Sequence, residues 1–129
     1  VSATALRAFL YVFAAVAILA GAWTLVLGSD SIPSAGNPNA NLESELRFYS
    51  TWWIGAGVFL AWLAPRVQDH GRALRAFCAL LFLAAVSRVL AVLETDWPST
   101  GQIVLMGVEF ALAVILVPWQ ARAAAIRRT

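Results

Sequence analysis

Arg88 and Glu109 stand inside long apolar stretches. An ionisable group surrounded by hydrocarbon is costly unless paired or hydrated, so each marks a binding site or an internal tie. Arg47 lies at the edge of another such stretch, four residues after Glu43. With the acid N-terminal, that spacing on a helix favours an ion pair. Ser44 and Glu45 adjoin this pair, and Ser50 and Thr51 continue its polar side. Two chemistries follow. Arginine makes charge-assisted bonds to phosphate, which suits an anionic lipid headgroup. A deep carboxylate such as Glu109 suits an ion- or proton-coupled site.

Composition sets where these residues must work. Of 129 residues, 61% are apolar and only 12% charged, against roughly a quarter charged in a soluble domain. Mean hydropathy is +0.78. A soluble globule of this size has more surface than these charges can cover. Soluble enzymes, nucleic-acid-binding modules and disordered chains are excluded on that ground. All nine basic residues are arginines scattered near segment ends, and the net charge is +2. Such scatter does not make a nucleic-acid face. The single cysteine, Cys78, has no internal disulfide partner and reads as packing. His70 lies beside Asp69 in a connection and reads as solvated.

The expected fold is all-α: an integral membrane protein with four transmembrane helices in one antiparallel bundle. Four apolar stretches, residues 6–27, 46–64, 73–93 and 102–119, reach the length a bilayer requires. No period-two alternation supports barrel strands. The first stretch exceeds the apolar core of a signal peptide and lacks a small-residue cleavage site, so it reads as a retained span. Arg7 precedes the first span; Arg66, Arg72 and Arg75 flank the second connection; Arg122, Arg127 and Arg128 follow the last. The other two connections carry acids and no arginine, which places both termini in the cytoplasm. All six tryptophans fall near span ends, as in an interfacial aromatic belt. Trp52 and Trp53 alone offer a ligand cage as the other reading. Asn41 is the expected N-cap of the second span; Pro65 ends that span, and Pro118 bends or ends the fourth.

With spans three and four antiparallel, Arg88 and Glu109 reach similar depths. Arg88 lies roughly 9 Å before Glu94 and Glu109 roughly 12 Å past Gly101, at 1.5 Å per residue. Ser87, Arg88, Ala91 and Thr95 share one face, and Gln102, Met106, Glu109 and Ala113 share another. An Arg88–Glu109 pair is therefore expected, with Glu43, Glu45 and Arg47 around its mouth. Either it ties the helices, since apolar packing does not drive association in lipid, or it binds a ligand or ion. Small pairs four apart, Ala17 with Gly21, Ser87 with Ala91 and Gly107 with Ala111, offer close helix approach.

The run Glu43-Ser44-Glu45-Leu46-Arg47-Phe48-Tyr49 opens the second span after a loop bearing proline and asparagine. In this it resembles the bacterial family catalogued as domain of unknown function 4345. The resemblance implies a small four-helix membrane protein with a Glu-Ser-x-x-Arg-aromatic run here and an arginine in the third helix. Glu43, Ser44 and Arg47 match the run, and Arg88 matches the later arginine. Ser87 stands where the family often has glycine. The resemblance implies no activity, but it groups Glu43, Arg47 and Arg88 as one unit.

The leading expectation is a non-enzymatic accessory or assembly subunit of the bacterial inner (cytoplasmic) membrane. It would bind membrane lipid through Glu43, Ser44, Arg47, Arg88 and Glu109, beside a membrane-protein partner or a second copy. The alternative is a small transporter coupled through Glu109. An enzyme is not expected, because the outer side offers no histidine or cysteine beside Ser44, Tyr49, Ser50 or Thr51. No cofactor or metal is expected; Glu43, Glu94, Asp96 and Glu109 would supply only oxygen ligands.

Overall fold

Long runs without glycine or proline let the backbone close its own hydrogen bonds, and a chain in lipid must do so. The structure, a computed structural model, describes residues 2–33 and 35–126. Arg127 and Arg128, used above to orient the chain, lie outside the described residues. Among the described residues there are four α-helices and no strand: α1 Ala3–Leu27, α2 Ala40–Leu63, α3 Gly71–Glu94 and α4 Thr100–Ile126. Short 3₁₀ turns follow α1 at Gly28–Ser31 and α2 at Ala64–Arg66.

Three segments are long and apolar enough to cross a membrane: Ala3–Ser31, Gly71–Glu94 and Thr100–Ile126. They mark the chain as a membrane protein. The α2 helix is not among them, and its first turns carry Glu43, Glu45, Arg47, Ser50 and Thr51.

Each helix end has a local cause. The Ser2 hydroxyl accepts from the Ala5 N–H at 3.1 Å and caps α1. The far end of α1 stops at Gly28, whose φ of 58° lies in the left-handed region that glycine enters without cost. Asn39, not Asn41, caps α2, its side chain accepting from the Leu42 N–H at 3.0 Å. Asn39 is extended (φ −71°, ψ 168°), as a cap requires, whereas Asn41 is already inside the helix. The helix thus starts six residues before the expected span and takes Glu43 and Arg47 into its first two turns. Pro65 stands in the turn that follows α2. Pro118 does not end α4, which continues to Ile126. The turns beyond it are tied to the α2–α3 connection: Gln120 donates to the Val67 carbonyl at 3.0 Å, and Gln68 donates to the Ala123 carbonyl at 2.9 Å.

Residues divide into two compact units, Arg7–Pro65 and Arg66 onward with the start of α1. In the first, α1 and α2 run antiparallel. Gly57 lies by Ala14 and Ile18, Gly21 by Ser50 and Ile54, and Arg47 by Leu25. A Cβ at Gly21 or Gly57 would fall 2.7 or 2.6 Å from a backbone oxygen of the other helix, so glycine permits this approach. Gly107 faces open space instead.

In the second unit α3 and α4 are antiparallel, and their buried positions recur at steps of three and four. They are Gly71, Leu74, Cys78, Leu81 and Ala85 on α3, and Glu109, Ala113, Leu116, Gln120 and Ala123 on α4. That 3.5-residue repeat suits two helices crossing at a shallow angle. Two polar residues, Glu109 and Gln120, occupy the same stripe as Leu116. The opposite faces carry exposed Leu80, Leu83, Val104, Val114 and Ile115, an arrangement suited to lipid.

Candidate functional site

The two arginine–glutamate pairs are both formed, one in each unit. On α3, Arg88 holds Glu109 of α4 with two donors. Its Nε donates to Oε2 at 2.8 Å and its Nη2 to Oε1 at 3.1 Å, a bidentate contact. Its Nη1 donates to Gln102 Oε1 at 2.6 Å. The Glu109 side chain is 2% exposed and that of Arg88 30%. Antiparallel packing at the 3.5-residue repeat brings the faces together, since Arg88 lies six residues before the end of α3 and Glu109 nine residues after the start of α4.

Beside this pair lies a cleft of about 190 Å³. Arg88, Gln102, Thr95 and Asp96 form its polar walls, and Ala91, Val92, Pro98 and Met106 its apolar walls. The guanidinium has five N–H donors. Three serve Glu109 and Gln102, so two remain on a side chain that lines the cleft.

On α2, Arg47 donates to Glu43 Oε1 through Nε at 3.0 Å and Nη2 at 2.9 Å. Its Nη1 donates to the carbonyls of Leu25 at 2.7 Å and Val26 at 3.1 Å. Those carbonyls end α1, where no further helical N–H can reach them. Positive charge there also suits the helix dipole. The other Glu43 oxygen, Oε2, accepts from the Ser29 N–H at 3.1 Å. That backbone bond first, and the Arg47 guanidinium after it, hold the Glu43 carboxyl below its ordinary value of 4.5. Ser31 donates to the Gly28 carbonyl at 2.7 Å and to the Thr24 hydroxyl at 3.0 Å. A Cβ on Gly28 would collide with the Glu43 carboxylate. The arrangement is a clamp in which α2 closes the end of α1.

Ser44 and Glu45 are exposed on α2. They follow Glu43 by one and two positions and so turn away from the clamp. Phe48 packs edge-on to Tyr49 and Trp52, and all three rings are exposed. Among the described residues, no group of three or more His, Cys, Asp or Glu side chains could hold a metal ion. Sequence reasoning did not assign roles to Gly28, Ser29 or the α1 carbonyls. The signal for Gly28 was its place directly after the last apolar residue of the first span, where a left-handed cap is common.

The model of the family described as a domain of unknown function, 4345, matches residues 5–120. That range contains α2 and α3, most of α1 and α4, and both pairs, Glu43–Arg47 and Arg88–Glu109. No curated protein and no solved structure matches the chain significantly. The chain belongs to the family of domain of unknown function 4345.

Proposed function

We propose that the chain is a lipid-binding accessory or assembly subunit of the bacterial inner membrane. In this reading α2 is the fourth span, and both termini face the cytoplasm. The loop arginines support the orientation, since the α1–α2 and α3–α4 connections carry none. The apolar length of α2 from Leu46 to Leu63 supports the span, with Glu43 left at its outer edge.

One observation carries the binding role: Arg88 keeps two donors beside a cleft that joins an apolar wall of Ala91, Val92, Pro98 and Met106 to the polar Thr95, Asp96 and Gln102. A headgroup phosphate accepts such donors, while an acyl chain runs along Ala91, Val92 and Met106. Glu109 balances the charge of Arg88 and fixes its plane, so the guanidinium is oriented before a lipid arrives. Glu109 gives both oxygens to Arg88, which occupies the group that a coupled transporter would use.

Native mass spectrometry of gently purified protein tests the reading. The expected result is a bound lipid or a co-purifying membrane protein, with the lipid lost in Arg88→Gln. Neither lipid nor partner on the wild-type protein would contradict it.

A further inference from the structure

At the other end of the α3–α4 hairpin, sixteen residues from Arg88 along α3 and thus roughly 24 Å away, the connection from α2 opens a recess of about 920 Å³. Arg72 and Arg75 line it, with Asp69, His70, Gln120 and Ala124. Arg72 and Arg75 are three apart on α3 and therefore share a face. Both are exposed, and among the described residues neither makes a hydrogen bond or an ion pair. This differs from Arg47 and Arg88, which are bound to carboxylates.

Gln120 gives the recess its floor. Its side chain is 5% exposed. Its amide lies against Gly71, where a Cβ would come within 2.6 Å of Nε2 and 2.7 Å of Oε1. One of the two Nε2 protons goes to the Val67 carbonyl. The second N–H remains as a donor for whatever enters. The first turn of α3 adds the backbone N–H groups of Gly71 and Arg72. The first intrahelical bonds here begin with Ala73 and Leu74, which donate to His70.

We propose that this recess binds an anionic phosphate ester, held by Arg72 and Arg75 from the side and by Gln120 and the start of α3 from below. Two guanidinium forks, a buried amide and free helix N–H groups form one donor set around a single cavity, and that is the chemistry phosphate oxygens require. Asp69 on the rim leaves the two arginines a positive excess. The phosphate belongs to a lipid headgroup or to a soluble ester; the chemistry of recognition is shared. The site does not depend on the Arg88 cleft, and either can fail without the other.

The test uses the full chain in nanodiscs of phosphatidylglycerol or phosphatidylcholine, with lipid retention read by native mass spectrometry after transfer to detergent. Wild type is expected to retain phosphatidylglycerol over phosphatidylcholine. Replacing both arginines, Arg72→Gln with Arg75→Gln, lowers that retention at least about tenfold. Arg122→Gln, an exposed arginine outside the recess, leaves it unchanged. If added inorganic phosphate displaces the lipid, a soluble ester is the source; if not, the headgroup is. Either outcome supports the site. A second measurement needs no variant: amide exchange at residues 71–75 of the wild-type chain slows with phosphatidylglycerol and not with phosphatidylcholine. Equal retention of both lipids, an unchanged double variant, or unchanged exchange would overturn the proposal.

Discussion

The two ion pairs use the same two residue types and nearly the same bonds, yet their settings are opposite. Glu43–Arg47 joins residues four apart on one helix, with side chains 29% and 43% exposed. Arg88–Glu109 joins two helices, and its carboxylate is 2% exposed. An exposed pair gains little, because solvent already stabilises both charges. A pair with a buried carboxylate is different: removing one partner strands the other charge. The first pair therefore acts mainly through the backbone it caps, and the second through the charge it neutralises.

The largest expected effect breaks the second pair. Glu109→Ala leaves Arg88 without its carboxylate and should destabilise the chain by about 3–5 kcal/mol. Thermal unfolding in detergent would show it as a large fall in melting temperature. A loss below about 1 kcal/mol would mean that water reaches Arg88 freely.

Next is the glycine beneath the clamp. Gly28→Ala introduces a side chain at positive φ and against the Glu43 carboxylate, at a cost of about 1–3 kcal/mol for the strain. Faster amide exchange at Ser29 would accompany that loss, since its N–H would lose Glu43 Oε2. Arg47→Ala removes the caps on Leu25 and Val26 together with an exposed ion pair. Its expected cost is about 1 kcal/mol, read from the same melting curves. Were Arg47→Ala as damaging as Glu109→Ala, the contrast between the two pairs would collapse.

The smallest effect is a pH dependence. The folded-state carboxyl of Glu43 lies below its unfolded value of 4.5, so as pH falls the unfolded chain takes up its proton first. The stabilisation is complete above pH 4.5 and disappears as pH drops through the folded value. Comparing wild type with Glu43→Gln on both sides of pH 4.5 should show the wild type losing its advantage only on the acid side.

Much of this arrangement was legible in the sequence, and what was not has physical causes. Arg88 and Glu109 could be paired from depth and face alone, because an antiparallel hairpin matches positions at equal distances from its turn. The Glu43–Arg47 pair followed from helical spacing. The α1 end of the clamp did not, because backbone carbonyls look alike at every residue and only the fold shows which are left unbonded. Asn39 and Asn41 are chemically equal as caps, and the choice depended on where the extended loop turned helical. Pro118 read as a bend or a stop because proline removes one helical bond. Ties from Gln120 and Gln68 to the α2–α3 connection hold the turns beyond it. Those ties join residues too distant in sequence for any spacing rule.

A double-mutant cycle on Arg88 and Glu109 is the most direct test that these two intramembrane charges act on each other. Arg88→Met, Glu109→Leu and the double variant would be compared by equilibrium unfolding in one detergent. Each single variant should be strongly destabilised and the double variant largely restored, with a coupling of about 2 kcal/mol or more. Single effects that simply add, to within about 0.5 kcal/mol, would contradict the account.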